Sequence, residues 1–214
     1  MTDLRQMLAG KFIVLDGPDG AGKSSQLKLL AEHLQQRGVN LLATRDPGST
    51  AIGNKIREIL LDRANDEMSV ACELMLYMAS RAQLVAQVIR PALDRGCCVL
   101  CDRFVSATIA YQGAGGVDES AIRDVAQVAV EGLWPDLTVI VDLPPEIGMT
   151  RLGADRNKDR MEAKDMAFHA RVRESFLAQA QANPTRFTVI DGRASLMEVQ
   201  SRLRNAIENW KWIV

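Results

Sequence analysis

One octapeptide restricts this chain more than any other. Gly17-Pro18-Asp19-Gly20-Ala21-Gly22-Lys23-Ser24 fits G-x-x-x-x-G-K-[ST] at every position. It follows the apolar run FIVLD (12–16) and precedes SSQLKLLAEHLQQRG, where Leu27, Leu30, Ala31 and Leu34 recur at helical spacing. A loop placed between a strand and a helix turns successive backbone N–H groups into a concavity, and the helix start adds its positive dipole end. Glycine lets that backbone approach phosphate oxygens without a Cβ in the way. Residues Gly17 to Ser25 therefore read as a nucleoside triphosphate site, with Lys23 on the β- and γ-phosphates and the Ser24 hydroxyl on magnesium. The loop does not by itself separate a kinase from an ATPase or a switch protein. A guanine-specific N-K-x-D is not formed, because Asn157-Lys158 is followed by Asp159-Arg160.

The rest of the chain agrees with an α/β arrangement. Short apolar runs at 12–16, 40–44, 98–102, 137–143 and 186–191 alternate with longer helical stretches. That alternation predicts a parallel sheet covered by helices on both faces, in a single domain spanning 1–214. Gly38 is placed to stop the first long helix. A formal net charge of −1 gives no pull toward nucleic acid or an anionic membrane surface. No apolar run approaches the ~20 residues of a membrane span, and the start has no secretory pattern, so a cytoplasmic protein is expected. Cys98 and Cys101 have C-x-x-C spacing, which reads as half a zinc site, a redox pair or a buried strand. Zinc needs about four ligands, and residues three apart in a strand face opposite ways, so the strand reading is preferred.

Two polar stretches follow strands, ATRDPGST (43–50) and CDRFVSATIAYQG (101–113). Ligands of open parallel sheets bind at the carboxyl ends of strands, which would set both stretches beside the phosphate loop. Asp102 closes an apolar strand, where a carboxylate needs a metal or a hydrogen-bond partner. Arg103 suits a bidentate phosphate contact. DRNKDR (155–160) reads either as a solvated turn or as a lid over a phosphate site.

GPDGAGKSS, TRDPGST, LYMASRAQL (76–84), the strand-end DRF, SATIAYQG (106–113) and DRME (159–162) lie in one order over most of the chain. In that combination the sequence resembles the thymidylate kinases, and the bacterial type more closely, since Gly20 stands where eukaryotic members usually have Arg. The resemblance implies a P-loop kinase fold on a five-stranded parallel sheet. It implies transfer of the γ-phosphoryl group of ATP to dTMP, giving ADP and dTDP for DNA precursor synthesis, with magnesium and a homodimer. By position, Arg81 would bond the thymine edge, Tyr77 would stack on the base and Thr108 would face it. Arg103 would hold the dTMP phosphate, Asp19 would lie between the substrates, Tyr111 would crowd the ribose 2′ position, and Gln112 would lie nearby. Asp46 would serve the acceptor side, and Ser24 with Asp102 the metal. A lid at about 151–161 would supply a cation to the transferring group, Arg156 first, with Arg151, Lys158 and Arg160 as candidates. The sequence departs from the family pattern at Tyr77, where Phe is usual, and in Asp46-Pro47-Gly48-Ser49-Thr50, where E-P-G-G-T is usual. Rival readings are another nucleoside or nucleotide kinase, and an ATP-hydrolysing switch protein. The apolar excess of 68–89 fits either a subunit contact or burial within one chain.

Overall fold

The computed structural model describes residues 3–153 and 159–212. Five strands form one parallel sheet: β1 (Phe12–Asp16), β2 (Leu41–Arg45), β3 (Cys98–Asp102), β4 (Leu137–Asp142) and β5 (Phe187–Asp191), in the order β2-β3-β1-β4-β5. They match the apolar runs of the sequence to within a residue at each end. The helices are α1 (Leu4–Leu8), α2 (Lys23–Gln36), α3 (Ala51–Leu61), α4 (Val70–Leu84), α5 (Arg90–Asp94), α6 (Val105–Ala114), α7 (Glu119–Val130), α8 (Pro145–Leu152), α9 (Met166–Ala182) and α10 (Leu196–Glu208). A widened π turn over Val85–Ile89 joins α4 to α5 just before Pro91, whose nitrogen has no hydrogen to donate.

β1 shows why a near-continuous apolar strand is needed. All five of its residues are buried, and successive side chains enter different cores. Ile13 and Leu15 pack with Leu30 and Leu34 of α2 and Leu203 of α10. Phe12 and Val14 pack on the opposite face with Leu74 of α4, Ile109 of α6 and Ile122 of α7. Each fully buried side chain of this size contributes about 1.5–3 kcal/mol. Cys98 joins the first core and Cys101 the second, so the C-x-x-C pair is split by the sheet. Burial pushes the Cys98 thiol up to about 12. No cluster of three or more His, Cys, Asp or Glu able to hold a metal occurs among the described residues. No helix among them is long and apolar enough to cross a membrane.

Register brings the polar strand ends together. Leu15 pairs with Asp102, Asp16 with Ile140, and Arg45 with Asp102. Three loops therefore leave the sheet at one level, those after β1, β2 and β3. Gly38, at φ 78°, ends the first long helix as its position suggested, with Val39 N–H donating to Leu34 O at 3.0 Å.

Candidate active site

The phosphate loop is built from what only glycine can do at three positions. Gly17, Gly20 and Gly22 have φ of 135°, 74° and 84°. A Cβ at Gly17 would collide with the Val141 carbonyl of β4, and one at Gly20 with the backbone of Gly148 in α8. Lys23 begins α2, and its Nζ donates to the carbonyls of Gly17 at 2.9 Å and Pro18 at 2.7 Å. Burial, reinforced by the nearby Arg103 cation, brings the Lys23 pKa down to about 8. The Ser24 hydroxyl donates to Asp102 Oδ2 at 2.7 Å across the ends of α2 and β3.

Behind the loop, Asp16 is completely buried. It accepts from Gly17 N–H at 3.0 Å and from the Ser106 hydroxyl at 2.7 Å, and Arg103 lies 3.3 Å away. Burial raises its pKa. Arg103 sits in the left-handed region at φ 69°, strained for a side-chain-bearing residue, and its N–H donates to Leu15 O at 2.9 Å. That turn throws the guanidinium back across the phosphate loop. There it bonds Gly17 O at 3.1 Å, Tyr111 Oη at 3.1 Å and the Asp19 carboxylate, and stacks 4.9 Å from the Tyr111 ring centroid. Tyr111 in turn donates to Asp19 Oδ2 at 2.7 Å. Burial pushes the Asp19 pKa upward, but Arg103 and then Lys23 outweigh it, so the carboxyl stays below its ordinary range.

The third wall is α4. Glu73, Tyr77 and Arg81 are spaced four apart and share one face. Arg81 is 1% exposed. Its Nε donates to Asp46 Oδ2 at 2.5 Å, and its Nη2 to Phe104 O at 3.1 Å and Thr108 Oγ1 at 2.9 Å. Arg81 thus ties the loop after β2 to the start of α6. That loop carries a cis Asp46–Pro47 peptide. Ser49, the residue departing from the usual glycine, adopts φ 63°. Its hydroxyl accepts from Arg45 N–H and donates to Arg45 O, both at 3.1 Å, so the side chain closes the turn it strains.

These walls enclose one cavity of about 820 Å³. Asp19, Gly20, Ala21, Gly22, Lys23, Ser24 and Ser25 line it, with Asp46, Tyr77, Arg81, Asp102, Arg103, Thr108, Tyr111 and Gln112. Gly17 and Pro18 stand behind the lining and present their carbonyls to Lys23. Arg156 and Lys158 lie outside the described residues. Arg160 is not a cation facing the cavity: it is 4% exposed and paired with Glu73. Arg151 does reach the cavity wall, donating to Gly192 O at 3.0 Å.

Sequence reasoning missed Arg45 and Arg57, both in the lining, and the segment after β5, where Gly192 and Ala194 to Leu196 extend the cavity past Arg151. Asn54, Arg57 and Leu61 fall at helical spacing behind the DPG turn, which is the signal that would have found Arg57. Its Nη1 donates to Pro47 O at 3.0 Å. The segment after β5 carries no motif; only its place after a parallel strand points to it.

Lys23, Arg45, Arg57, Arg103 and Arg151 line one cavity together with Asp19, a concentration of cations suited to anionic ligands. Comparison with known proteins gives the same direction. A family model described as thymidylate kinase matches residues 15–203. Curated relatives include a thymidylate kinase from Exiguobacterium sp., 48% identical over 197 residues, covering 92% of this chain and 93% of that one. Another from Alcanivorax borkumensis is 46% identical over 202 residues, covering 94% and 97%. Among solved structures, thymidylate kinase from Ehrlichia chaffeensis superposes with a TM-score of 0.77 at 32% identity, covering 92% of this chain and 98% of that one.

Proposed function

The chain belongs to the thymidylate kinase family and, with it, transfers a phosphoryl group from ATP to dTMP; we propose how the residues of this cavity divide that work. The observation that carries the reading is that Lys23, at the start of α2, and Arg103, just after β3, line one cavity with Asp19 beside both. Lys23 and the loop N–H groups receive the donor triphosphate, whose base extends toward the segment after β5. Arg103 and Arg57 receive the acceptor phosphate. Tyr77 offers its ring to the pyrimidine, and Arg81 and Thr108 border the base. Tyr111, pinned by Asp19, stands against the ribose and disfavours a 2′ hydroxyl by crowding.

Phosphoryl transfer asks for alignment and charge compensation more than for covalent chemistry. The acceptor oxygen is already ionised, so no strong general base is required. The Ser24 hydroxyl and Asp102 carboxylate, 2.7 Å apart, suit magnesium, which takes one or two protein oxygens alongside waters and substrate phosphates. Ser24 and Asp102 would hold the ion, which would supply charge compensation at the donor phosphates. Arg151 is the described cation of the 151–161 stretch that faces the donor end; Arg156 remains part of the proposal.

The reading also carries a homodimer in the cytoplasm. Ile52 and Ile59 of α3 and Met75 of α4 are between 45% and 54% exposed on two helices packed together, more apolar surface than a free face needs. All four cysteines are free thiols. Light scattering tests the assembly. A coupled ADP-release assay with thymidine, dTMP, dUMP, dCMP and AMP tests the function: ADP formation must depend on added dTMP, and equal rates without acceptor would leave an ATPase.

A further inference from the structure

The turn 159–162 is a small closed box. Asp159 Oδ1 accepts from the N–H groups of Met161 and Glu162, both at 2.9 Å, and Glu162 Oε2 accepts from Asp159 N–H at 3.2 Å. Closing the box sends Arg160 inward, where its Nε donates to Leu60 O at 3.0 Å and its Nη2 to Glu73 Oε2. The other oxygen of Glu73, Oε1, accepts from Gln112 Nε2 at 2.7 Å. Glu73, Arg160 and Gln112 are 6%, 4% and 1% exposed. Gln112 lines the cavity beside Tyr77 and Thr108, whereas Glu73 does not.

A carboxylate paired with a guanidinium accepts hydrogen bonds and cannot donate them. Gln112 must therefore turn its NH₂ toward Glu73. Among the described residues no donor is bonded to the Gln112 carbonyl oxygen, so that oxygen is the end of the amide left for the cavity. The polarity of Gln112 is thus dictated by Glu73, and the orientation of Glu73 is dictated by Arg160.

We infer that Glu73 is a positioning residue that sets base selectivity: it fixes Gln112 as a hydrogen-bond acceptor toward the pyrimidine. This rests on the acceptor-site reading above. Thymine and uracil present an N3–H donor at their Watson–Crick edge; cytosine presents a bare N3 acceptor. A fixed carbonyl at that edge bonds the first two and repels the third, and a site built to bond an N–H discriminates strongly against an analogue lacking it.

Glu73→Gln replaces the fixed acceptor by an amide that can also donate. Gln112 is then free to turn over and present its NH₂ to the ligand. The kcat/KM ratio of dTMP to dCMP is expected to fall about tenfold or more, the equivalent of one hydrogen bond. If Glu73→Gln does not fold because Arg160 loses its counter-charge, the double variant Glu73→Gln/Arg160→Gln removes both buried charges and should show the same loss of ratio. An unchanged ratio in a folded Glu73→Gln or double variant overturns the inference while leaving dTMP phosphorylation intact. A wild-type protein that does not use dTMP would instead remove the acceptor-site reading itself.

Discussion

Lys23 offers the most direct measurement of how the donor site works. Its ammonium is buried against loop carbonyls with Arg103 nearby, and its pKa is held at about 8 against 10.5 in a free lysine. At about 1.4 kcal/mol per pKa unit, that depression is worth about 3 kcal/mol against the charged form. A triphosphate laid on the loop supplies opposite charge at close range and reverses the preference, so nucleotide binding should take up a proton. With a free-state pKa of about 8, the uptake is about 0.1 proton at pH 7 and about 0.9 at pH 9. Calorimetry of a non-hydrolysable ATP analogue, in buffers of different ionisation enthalpy, reads this number. The buried Cys98 and Cys101 thiols are both shifted upward and stay protonated at pH 9, so they do not add to it. Affinity should also fall about tenfold for each pH unit above 8. In Lys23→Met both effects should disappear. An uptake below about 0.2 proton at pH 9, with binding still tight, would refute the reasoning. The same shift acts on folding. Between pH 8 and 10.5 the unfolded chain keeps the lysine proton and the folded one sheds it, so the contribution of Lys23 to stability rises with pH through that window.

Arg81→Met strands the buried Asp46 carboxylate and should lower stability by about 3–5 kcal/mol, visible in a thermal scan; an unchanged midpoint would remove Arg81 as the tie between the loop after β2 and α6. Gly20→Ala places a Cβ against the Gly148 backbone at positive φ, so ATP affinity should drop with α8 displaced, and unaltered nucleotide binding would count against the loop geometry. Arg103→Ala should raise KM for dTMP far more than for ATP, because its proposed ligand is the acceptor phosphate; equal losses in a folded variant would contradict that role.

What could be read in advance follows from the range of the interaction. β1 was legible because a strand buried on both faces must be apolar throughout, and the phosphate loop because its contacts lie within a few residues of one another. The strand-end residues Asp102 and Arg103 were legible through their place after an apolar run. The role of Arg160 was not. Its partner Glu73 is 87 residues away, and nothing in DRNKDR says which of its cations turns inward. Arg57 is presented by a helix face rather than by a motif. The left-handed backbone of Arg103 has no sequence signal either, because no glycine marks it.

Arg103 is engaged from several sides by Asp19, Tyr111 and the Gly17 carbonyl. A phosphate arriving at this guanidinium trades places with contacts already made rather than meeting a bare cation. The net gain from such an exchange is a difference between two similar quantities. Tight capture of the acceptor must then draw on the base end of the site, and inhibitors that keep the pyrimidine while omitting the phosphate should surrender less affinity than the charge of the pocket suggests.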